Sequence, residues 1–308
     1  VISAVVVSYN SERWLDQCLR SLAGQVGEAI VVDNASADAS ARVAESAGAR
    51  VLALERNAGF AAAANRGAAA ARGDLILLLN PDAALERGLA ELAARLEARP
   101  DCGAAAGVLV DRVTGKEQRG FSVRRFPGFW TLAGEVLGWH AIWPGNPLNR
   151  HYRCLDLPLD EAGEVDQPAG AFLLVKRRVW EELGGLDEAY YPLWFEDVDF
   201  CLRLRRAGLK ILVDPVCRVR HEGGHSLESV GFRDRQLFWY RNLLYHVKKH
   251  LGPAAALGMR VLVCAGALAR MLAAMFGGRS GAIRAYRDVI QLAVAGGGPA
   301  ASAHGSKR

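Results

Sequence analysis

Through residues 1–110, short runs of Val, Ile and Leu alternate with longer stretches whose apolar positions recur every three or four residues. The opening run VISAVVVS (1–8) is apolar and β-branched almost throughout, as a strand buried on both faces must be. Residues 11–23 place Trp14, Leu15, Cys18, Leu19 and Leu22 on one helical face, and Ser11 stands where an N-cap belongs. The same periodicities predict strands over 28–33, 50–54, 74–79 and 104–110, and helices over 37–46, 59–71 and 85–98. Such alternation predicts an α/β fold, a mostly parallel sheet with helices on both faces. Ligands of these sheets bind outside the carboxyl ends of the strands, so the polar clusters at those ends carry the functional argument.

The pattern breaks near residue 111. Residues 111–165 are rich in Gly, Pro, Trp and Arg with weak periodicity, and an irregular excursion is expected there. Their aromatic residues argue against disorder. Order resumes with a strand within 165–176, helices to 183 and over 195–207, and a strand over 210–213. Beyond 226 the chain reads as helical, with helices over 232–251 and 254–276. Arg260 and Arg270 interrupt the second, leaving no charge-free run of about 18 residues, so no transmembrane span is predicted. That helix reads either as packed on the domain or as interfacial, assisted by Lys248, Lys249, Arg260, Arg270, Arg279 and Arg284. The expected organisation is an α/β domain over 1–226 followed by a helical extension over 227–308.

Composition changes this picture little. A chain of 308 residues accommodates one large α/β domain with an appendage. With 51% hydrophobic and 23% charged residues it reads as an ordinary soluble globular protein. The net charge of +5 suits an anionic ligand or an anionic membrane surface without choosing between them. Cys18, Cys102, Cys154, Cys201, Cys217 and Cys264 form no CxxC pair, and the chain opens directly on a strand. Reduced thiols in a cytoplasmic protein are therefore expected.

Candidate chemistry sits at the strand ends. After the first two strands come Ser8-Tyr9-Asn10 and Asp33-Asn34-Ala35-Ser36. A carboxylate at Asp33 can accept the N–H of a pyrimidine, and Tyr9 offers a flat apolar wall. Asp33 or Ser36 can equally serve as a turn or cap residue. Gly59 and the alanines after it open a helix without bulk, so a ligand or another backbone can approach closely. The run Leu77-Leu78-Leu79-Asn80-Pro81-Asp82 ends a buried strand on a carboxylate. Mg2+ and Mn2+ favour carboxylate oxygen, and Mg2+ is usually held by one or two carboxylates plus substrate phosphates. Glu196, Asp197 and Asp199 lie within four positions, and mutual repulsion is expected to raise at least one pKa, as general-base catalysis needs. A helix N-terminus also collects acids. Finally, His221 and His225 flank glycines after a strand, where a neutral imidazole makes a good metal ligand.

Taken in order, VVVSYN, VVDNASADAS, RNAGFAAAANRG, GDLILLLNPDA, GAFLLVKRRVWEELGGLDEAYYPLWFEDVDFCLRLRRAG and HEGGHS make the chain resemble family 2 glycosyltransferases of the GT-A fold. Among these it looks most like bacterial rhamnosyltransferases of cell-wall and O-antigen assembly. The resemblance covers most of residues 1–226. It implies an inverting, metal-dependent transferase that moves a sugar from a nucleotide-diphosphate donor to a hydroxyl of a saccharide or polyprenyl-linked glycan. Ser8, Tyr9, Asn10 and Asp33 would hold the nucleoside, and Asn57, Gly59, Phe60 and Asn65 would line the donor site. Asn80-Pro81-Asp82 stands at the Asp-x-Asp metal motif with Asn first, which leaves Asp82 as the charged ligand. Gly170 and Ala171 would flank the sugar. Asp197 would be the general base, with Trp194 and Glu196 on the acceptor side, near which the 111–165 excursion would lie. His221 would complete a site for Mg2+ or Mn2+.

The subgroup points first to L-rhamnose carried on dTDP, with UDP-linked galactose, glucose or N-acetylglucosamine as alternatives. A lipid-linked acceptor would bring the C-terminal helices to the inner face of the cytoplasmic membrane. No nucleic-acid partner is implied, and the oligomeric state does not follow. Two rival enzyme classes lack their signatures. A sugar-nucleotide-forming nucleotidyltransferase should carry a glycine-rich loop with a basic residue after the first strand, where this chain has SYNSERW. A dinucleotide enzyme needs G-x-G-x-x-G there. A non-catalytic sugar-nucleotide-binding subunit is a third alternative, opposed by the joint presence of Asp82, Asp197 and His221.

Overall fold

The computed structural model describes residues 1–223 and 230–298. The chain divides into two compact units that interleave in sequence. The first comprises Val1–Phe126, Arg153–Asp187 and Asp197–His225; the second comprises Pro127–Tyr152, Glu188–Glu196 and Ser226–Arg308.

The first unit begins with β1 (Ile2–Ser8), α1 (Glu12–Leu22), β2 (Glu28–Asp33), α2 (Ser40–Ser46), β3 (Arg50–Ala53), α3 (Phe60–Ala70) and β4 (Leu75–Leu79). It continues through β5 (Ala83–Arg87), α4 (Leu89–Glu97), β6 (Cys102–Asp111) and β7 (Val123–Arg124). In the second unit the chain forms α5 (Phe129–Leu137), α6 (Trp139–Ile142) and α7 (Pro147–Tyr152). It returns to the first unit as β8 (Gly163–Val165), β9 (Gln167–Pro168), β10 (Phe172–Lys176) and α8 (Arg177–Glu182), followed by α9 (Glu196–Arg206), which enters that unit at Asp197, and β11 (Lys210–His221). The second unit ends with α10 (Phe232–Leu251), α11 (Pro253–Phe276) and α12 (Ser280–Val294).

The main sheet runs β3-β2-β1-β4-β10-β6-β11-β5, with β8 paired to β11. β1, β2, β3 and β4 are mutually parallel, as the alternation predicts. β10 departs from that pattern, pairing antiparallel with both β4 and β6. It enters the sheet from the opposite direction, so its start lies at the edge where β4 ends. Side chains alternate between faces, which is why β1 is apolar at nearly every position. Ala4 and Val6 pack with Leu15, Leu19 and Leu22 of α1 on one face. Val5 and Val7 pack with Ala61, Ala64 and Ala68 of α3 on the other.

The small residues of α3 are set by this packing. A Cβ on Gly67 would run into Val5 and lie 2.9 Å from Val32 Cγ2. Gly67→Ala is therefore expected to destabilise the protein by about 1–3 kcal/mol through overpacking, read as a shifted midpoint of urea denaturation. An unchanged midpoint would show that α3 can lift from the sheet freely.

Several expectations need correction. The helix expected over 85–98 starts only at Leu89, because residues 83–87 form β5, antiparallel to β11. Gly88 breaks the two apart at φ +82°, with the Val216 backbone too close for any side chain. Ser11 does not cap α1 through its side chain. Its hydroxyl donates to Tyr9 O at 3.2 Å, and Asp38 Oδ2 instead accepts the Glu12 N–H at 3.0 Å. Residues 127–152 form three helices within the stretch expected to be irregular. A third C-terminal helix, α12, buries Ala285, Val289 and Ala293 at four-residue spacing. Apart from these corrections, α11 contains an 18-residue window of mean hydropathy 1.7 and is long and apolar enough to cross a membrane by length and composition alone, a test that the core helix of a soluble protein also passes. The cysteines are free; burial raises the thiol pKa of Cys18 and Cys201 and pushes Cys217 up to about 12, so none of these three is a poised nucleophile.

Candidate active site

The chain steps outward from β1 to β2 and β3, then crosses back to place β4 on the other side of β1, and in sheets of this kind ligands bind outside the strand ends where the order reverses. Ser8 and Asp33 are paired in register at the carboxyl ends of β1 and β2, and both are buried. Asp33 Oδ2 accepts the Ser36 N–H at 3.2 Å. Ser8 Oγ and Asp33 Oδ1 are buried without a hydrogen-bond partner. Leaving two adjacent buried polar atoms unmet costs free energy that a bound ligand with complementary groups would recover. Tyr9 beside them is 38% exposed, so its ring is available as a wall.

The other nucleoside-side residues have structural partners. Asn10, at φ +51°, donates its N–H to Ser36 Oγ at 3.0 Å, and its Oδ1 accepts the Ala37 N–H at 2.7 Å. Asn57 Oδ1 accepts the Gly59 N–H at 2.9 Å and Asn34 Nδ2–H at 3.0 Å. Asn34 Oδ1 in turn accepts the Ala58 N–H at 2.8 Å. These bonds pin the turn that leads through Gly59, at φ +85°, into Phe60 and α3. Asn65 lies one turn further on. Its amide takes Leu186 at both ends, donating to Leu186 O and accepting the Leu186 N–H, each at 2.9 Å. Its polar atoms serve the segment after α8.

The start of β10 brings two motifs together that are far apart in sequence. The Asn80 N–H donates to Ala171 O at 3.0 Å, and the neighbouring Gly170 N–H donates to Asp197 Oδ2 at 3.0 Å. A Cβ on Gly170 would lie 3.1 Å from Asp197 Cβ, so glycine permits the close approach. Asp197 Oδ1 also accepts the Val198 N–H at 2.8 Å. Asp197 is half-buried by exposure, while the dense protein around it pushes its carboxyl above the ordinary range; its two backbone hydrogen bonds and the Arg124 charge pull the other way. Burial, not repulsion among neighbouring acids, is thus the cause of the shift. Asp199 points elsewhere and pairs with Arg203 at 2.7 Å. Arg203 also donates to Leu183 O and Gly185 O, at 2.7 and 2.8 Å, anchoring α9.

Asp82 and His221 also meet. His221 ends β11, whose register sets it beside Ala83 of β5 and Asp111 of β6. His221 Nε2 lies 3.6 Å from Asp82 Oδ1, and both side chains are buried. Gln118 orients the imidazole. Its Nε2–H donates to His221 O at 2.8 Å, which leaves Gln118 Oε1 facing His221 Nδ1 at 2.9 Å. An amide oxygen only accepts, so the proton sits on Nδ1 and Nε2 presents a lone pair toward Asp82. Phe121 stacks on the ring at 5.1 Å and 13°. Burial lowers the His221 pKa against the pull of Asp82 and Glu222, favouring the neutral form. Asp82 Oδ2 accepts the Gly223 N–H at 3.3 Å, while Oδ1 is buried with no hydrogen-bond partner.

A bare imidazole nitrogen and an unmet carboxylate oxygen fit a divalent cation. Two bonds of roughly 2.1 Å each can span 3.6 Å. Among the described residues no group of three or more His, Cys, Asp or Glu is placed to hold a metal, so two protein ligands are what this pair offers. His225 lies outside the described residues.

Trp194 and Glu196 belong to the second unit. Trp194 and Phe195 sit at φ +79° and +75°, a left-handed conformation that bulky residues rarely hold. Buried Asn242 of α10 braces the turn by donating Nδ2–H to Leu193 O and Trp194 O at 2.8 and 3.3 Å. His246 supports Phe195 by ring packing at 5.1 Å. Glu196, which opens α9, is buried.

Gln118, Arg124, Asn34 and Asn242 were not singled out from the sequence. Asn34 carried a signal, standing inside the VVDN motif; the other three lie in segments without a pattern that points to chemistry.

A mostly parallel sheet of this order, with helices on its faces, is that of the GT-A fold. The glycosyl transferase family 2 model matches residues 3–150. An N-acetylglucosaminyl-diphospho-decaprenol L-rhamnosyltransferase of Mycobacterium tuberculosis is 30% identical over 249 residues, 73% of this chain and 77% of that protein. The chain belongs to glycosyltransferase family 2, close to bacterial rhamnosyltransferases. Solved structures agree on the fold. Glucosyl-3-phosphoglycerate synthase from Mycobacterium tuberculosis, in complex with Mn2+, UDP and glucosyl-3-phosphoglycerate, superposes with TM-score 0.52 at 17% identity, over 82% of this chain and 81% of that one. GalNAc-T7 with UDP, GalNAc and Mn2+ gives 0.56 at 17% identity, over 82% of this chain and 51% of that longer one.

Proposed function

We propose that this glycosyltransferase is inverting and divalent-metal-dependent, and transfers L-rhamnose from dTDP-rhamnose to a hydroxyl of a polyprenyl-diphosphate-linked saccharide in cell-envelope polysaccharide synthesis. The observation that carries the reading is the start of β10, where adjacent residues hold the Asn80-Pro81-Asp82 turn and the Asp197 carboxylate. The donor and acceptor classes follow the mycobacterial relative's name and the subgroup resemblance.

Ser8 and Asp33 supply the unmet polar atoms for the base, with Tyr9 against its face. Asp197 accepts the proton of the acceptor hydroxyl as that oxygen bonds to the anomeric carbon. The bond from that carbon to the donor diphosphate breaks on the opposite face, so one displacement inverts configuration. Asp82 and His221 would hold Mg2+ or Mn2+. Neutralising the leaving diphosphate is the chemistry such a cation supplies when bound. Work on a lipid-linked acceptor would place the enzyme at the cytoplasmic face of the membrane.

The test is thermal stabilisation of the purified protein by dTDP, UDP and GDP and their sugars, with and without Mn2+. A ligand at 100 times its Kd stabilises by about 2.7 kcal/mol, a shift of several degrees or less in a chain of this size. A Mn2+-dependent shift with dTDP and dTDP-rhamnose supports the reading. A shift confined to UDP-hexoses would replace the donor, and no shift with any nucleotide would overturn the donor site at Ser8, Tyr9 and Asp33.

A further inference from the structure

We propose that α11 is an in-plane anchor, which beds one bare apolar face into the surface of an anionic lipid bilayer. Leu257, Val261, Leu268, Leu272, Met275 and Phe276 recur at helical spacing along α11 and are exposed, from 46% at Leu268 to 95% at Phe276. The stripe runs roughly 28 Å at 1.5 Å per residue. Monomeric proteins rarely leave so continuous an apolar surface in water.

The two arginines that interrupt the helix in sequence do not interrupt this face. Arg260 donates to Ala293 O at 2.6 Å and to Val294 O at 2.5 Å, capping the carboxyl end of α12. Arg270 donates to Val136 O, and to Glu135 O at 3.3 Å, at the carboxyl end of α5. A cation at a helix carboxyl terminus meets unsatisfied carbonyls and the negative end of the dipole. Both charges are therefore spent inside the helical unit. In this proposal Arg260 and Arg270 hold the helical unit together, and the basic contact with lipid falls to other residues.

Charge complementarity selects the occupant. The segments of the helical unit carry 13 Lys and Arg against 6 Asp and Glu, so the basic excess of the whole chain arises there. Exposed Lys248 precedes α11 in the chain, and exposed Arg279 and Arg284 follow it, so exposed basic residues flank the apolar helix on both sides in sequence. That pattern matches a headgroup layer of anionic lipid over an acyl interior. A second copy seated on the stripe would set like charges against one another. A spanning α11 would have to give up the opposite face, where Met259, Val263 and Ala267 are buried, and both arginine caps.

Flotation of the full-length protein with phosphatidylcholine vesicles, with and without phosphatidylglycerol, tests this. Binding should be roughly tenfold stronger with the anionic lipid and should fall with salt. The double variant Leu268→Glu/Leu272→Glu should lose binding by roughly tenfold or more with unchanged circular dichroism. Lys248→Glu/Arg284→Glu should abolish the anionic preference. Failure of the wild type to float with anionic vesicles would overturn the proposal. So would a dimer in sedimentation velocity that the leucine variant dissociates without altering flotation, since a second copy would then own the face. Resistance of membrane-bound protein to carbonate extraction would overturn it in favour of a spanning helix. The assay contains no sugar, and nucleotide stabilisation measured on the same variants keeps the donor reading separately testable.

Discussion

Asp197→Asn is expected to lower kcat by about 10²–10⁴-fold while leaving donor-nucleotide stabilisation intact. The substitution is nearly isosteric. An asparagine oxygen can still accept the Gly170 N–H that now reaches Asp197 Oδ2, so the start of β10 and the Asn80 contact beside it should hold their positions. What is lost is a group able to take a proton. The pH dependence gives a second readout. Burial raises the Asp197 pKa, so the carboxyl stays protonated, and inactive as a base, to higher pH than an ordinary aspartate near 3.9. The acidic limb of kcat/KM should accordingly lie above the usual carboxylate range, with activity rising as pH increases through it. Arg124 opposes the shift. Full activity in Asp197→Asn, or an acidic limb in that variant identical to the wild type, would assign the base elsewhere.

Much of this site was legible in the sequence because a strand end is a place that periodicity finds. Ser8 and Asp33 close apolar runs and Asp82 follows one, and the sheet order brings those strand ends to one edge; His221 ends β11 well beyond the strand expected over 210–213, behind Arg218 and Arg220. Asp197 was legible by a different route, through its acidic neighbours and the family resemblance. The sequence reading nevertheless misassigned the cause of its shift, since acids adjacent in sequence on a helix face different ways. Asp199 turns to Arg203, and the surroundings of Asp197 are set by Gly170, 27 residues away. Edge strands were harder to read. Ala83 to Arg87 carries only one large apolar residue, and its pairing with β11 is a long-range choice that no local pattern announces. α12 was missed because small residues make its buried stripe, and small residues weaken a periodic signal. Gln118 had no signal at all: an isolated glutamine in an aperiodic stretch acquires meaning only when a histidine 103 residues later in the chain, on the strand paired with β6, reaches it.

That contact gives the metal site a graded prediction. EDTA should abolish transfer, and Mg2+ or Mn2+ should restore it. If the pair holds the cation as proposed, Asp82→Ala and His221→Ala each remove one of its two protein ligands, so Mn2+ affinity in the presence of donor nucleotide should fall at least ~100-fold, with activity following. Gln118→Leu leaves both ligands in place. It removes the acceptor that keeps the proton on His221 Nδ1, freeing the ring to take the other tautomer or to rotate. Loss of such a supporting group typically costs 10–100-fold in metal affinity, so this variant should fall between wild type and the ligand variants. Titration with Mn2+ followed by electron paramagnetic resonance measures all three without turnover, and 15N spectra of the histidines report the tautomer directly. Gln118→Leu with wild-type affinity and an unchanged tautomer would reduce the glutamine to packing. Transfer that proceeds unaltered in EDTA would remove Asp82 and His221 from metal binding altogether. Their short separation would then be a buried polar contact that positions the end of β11.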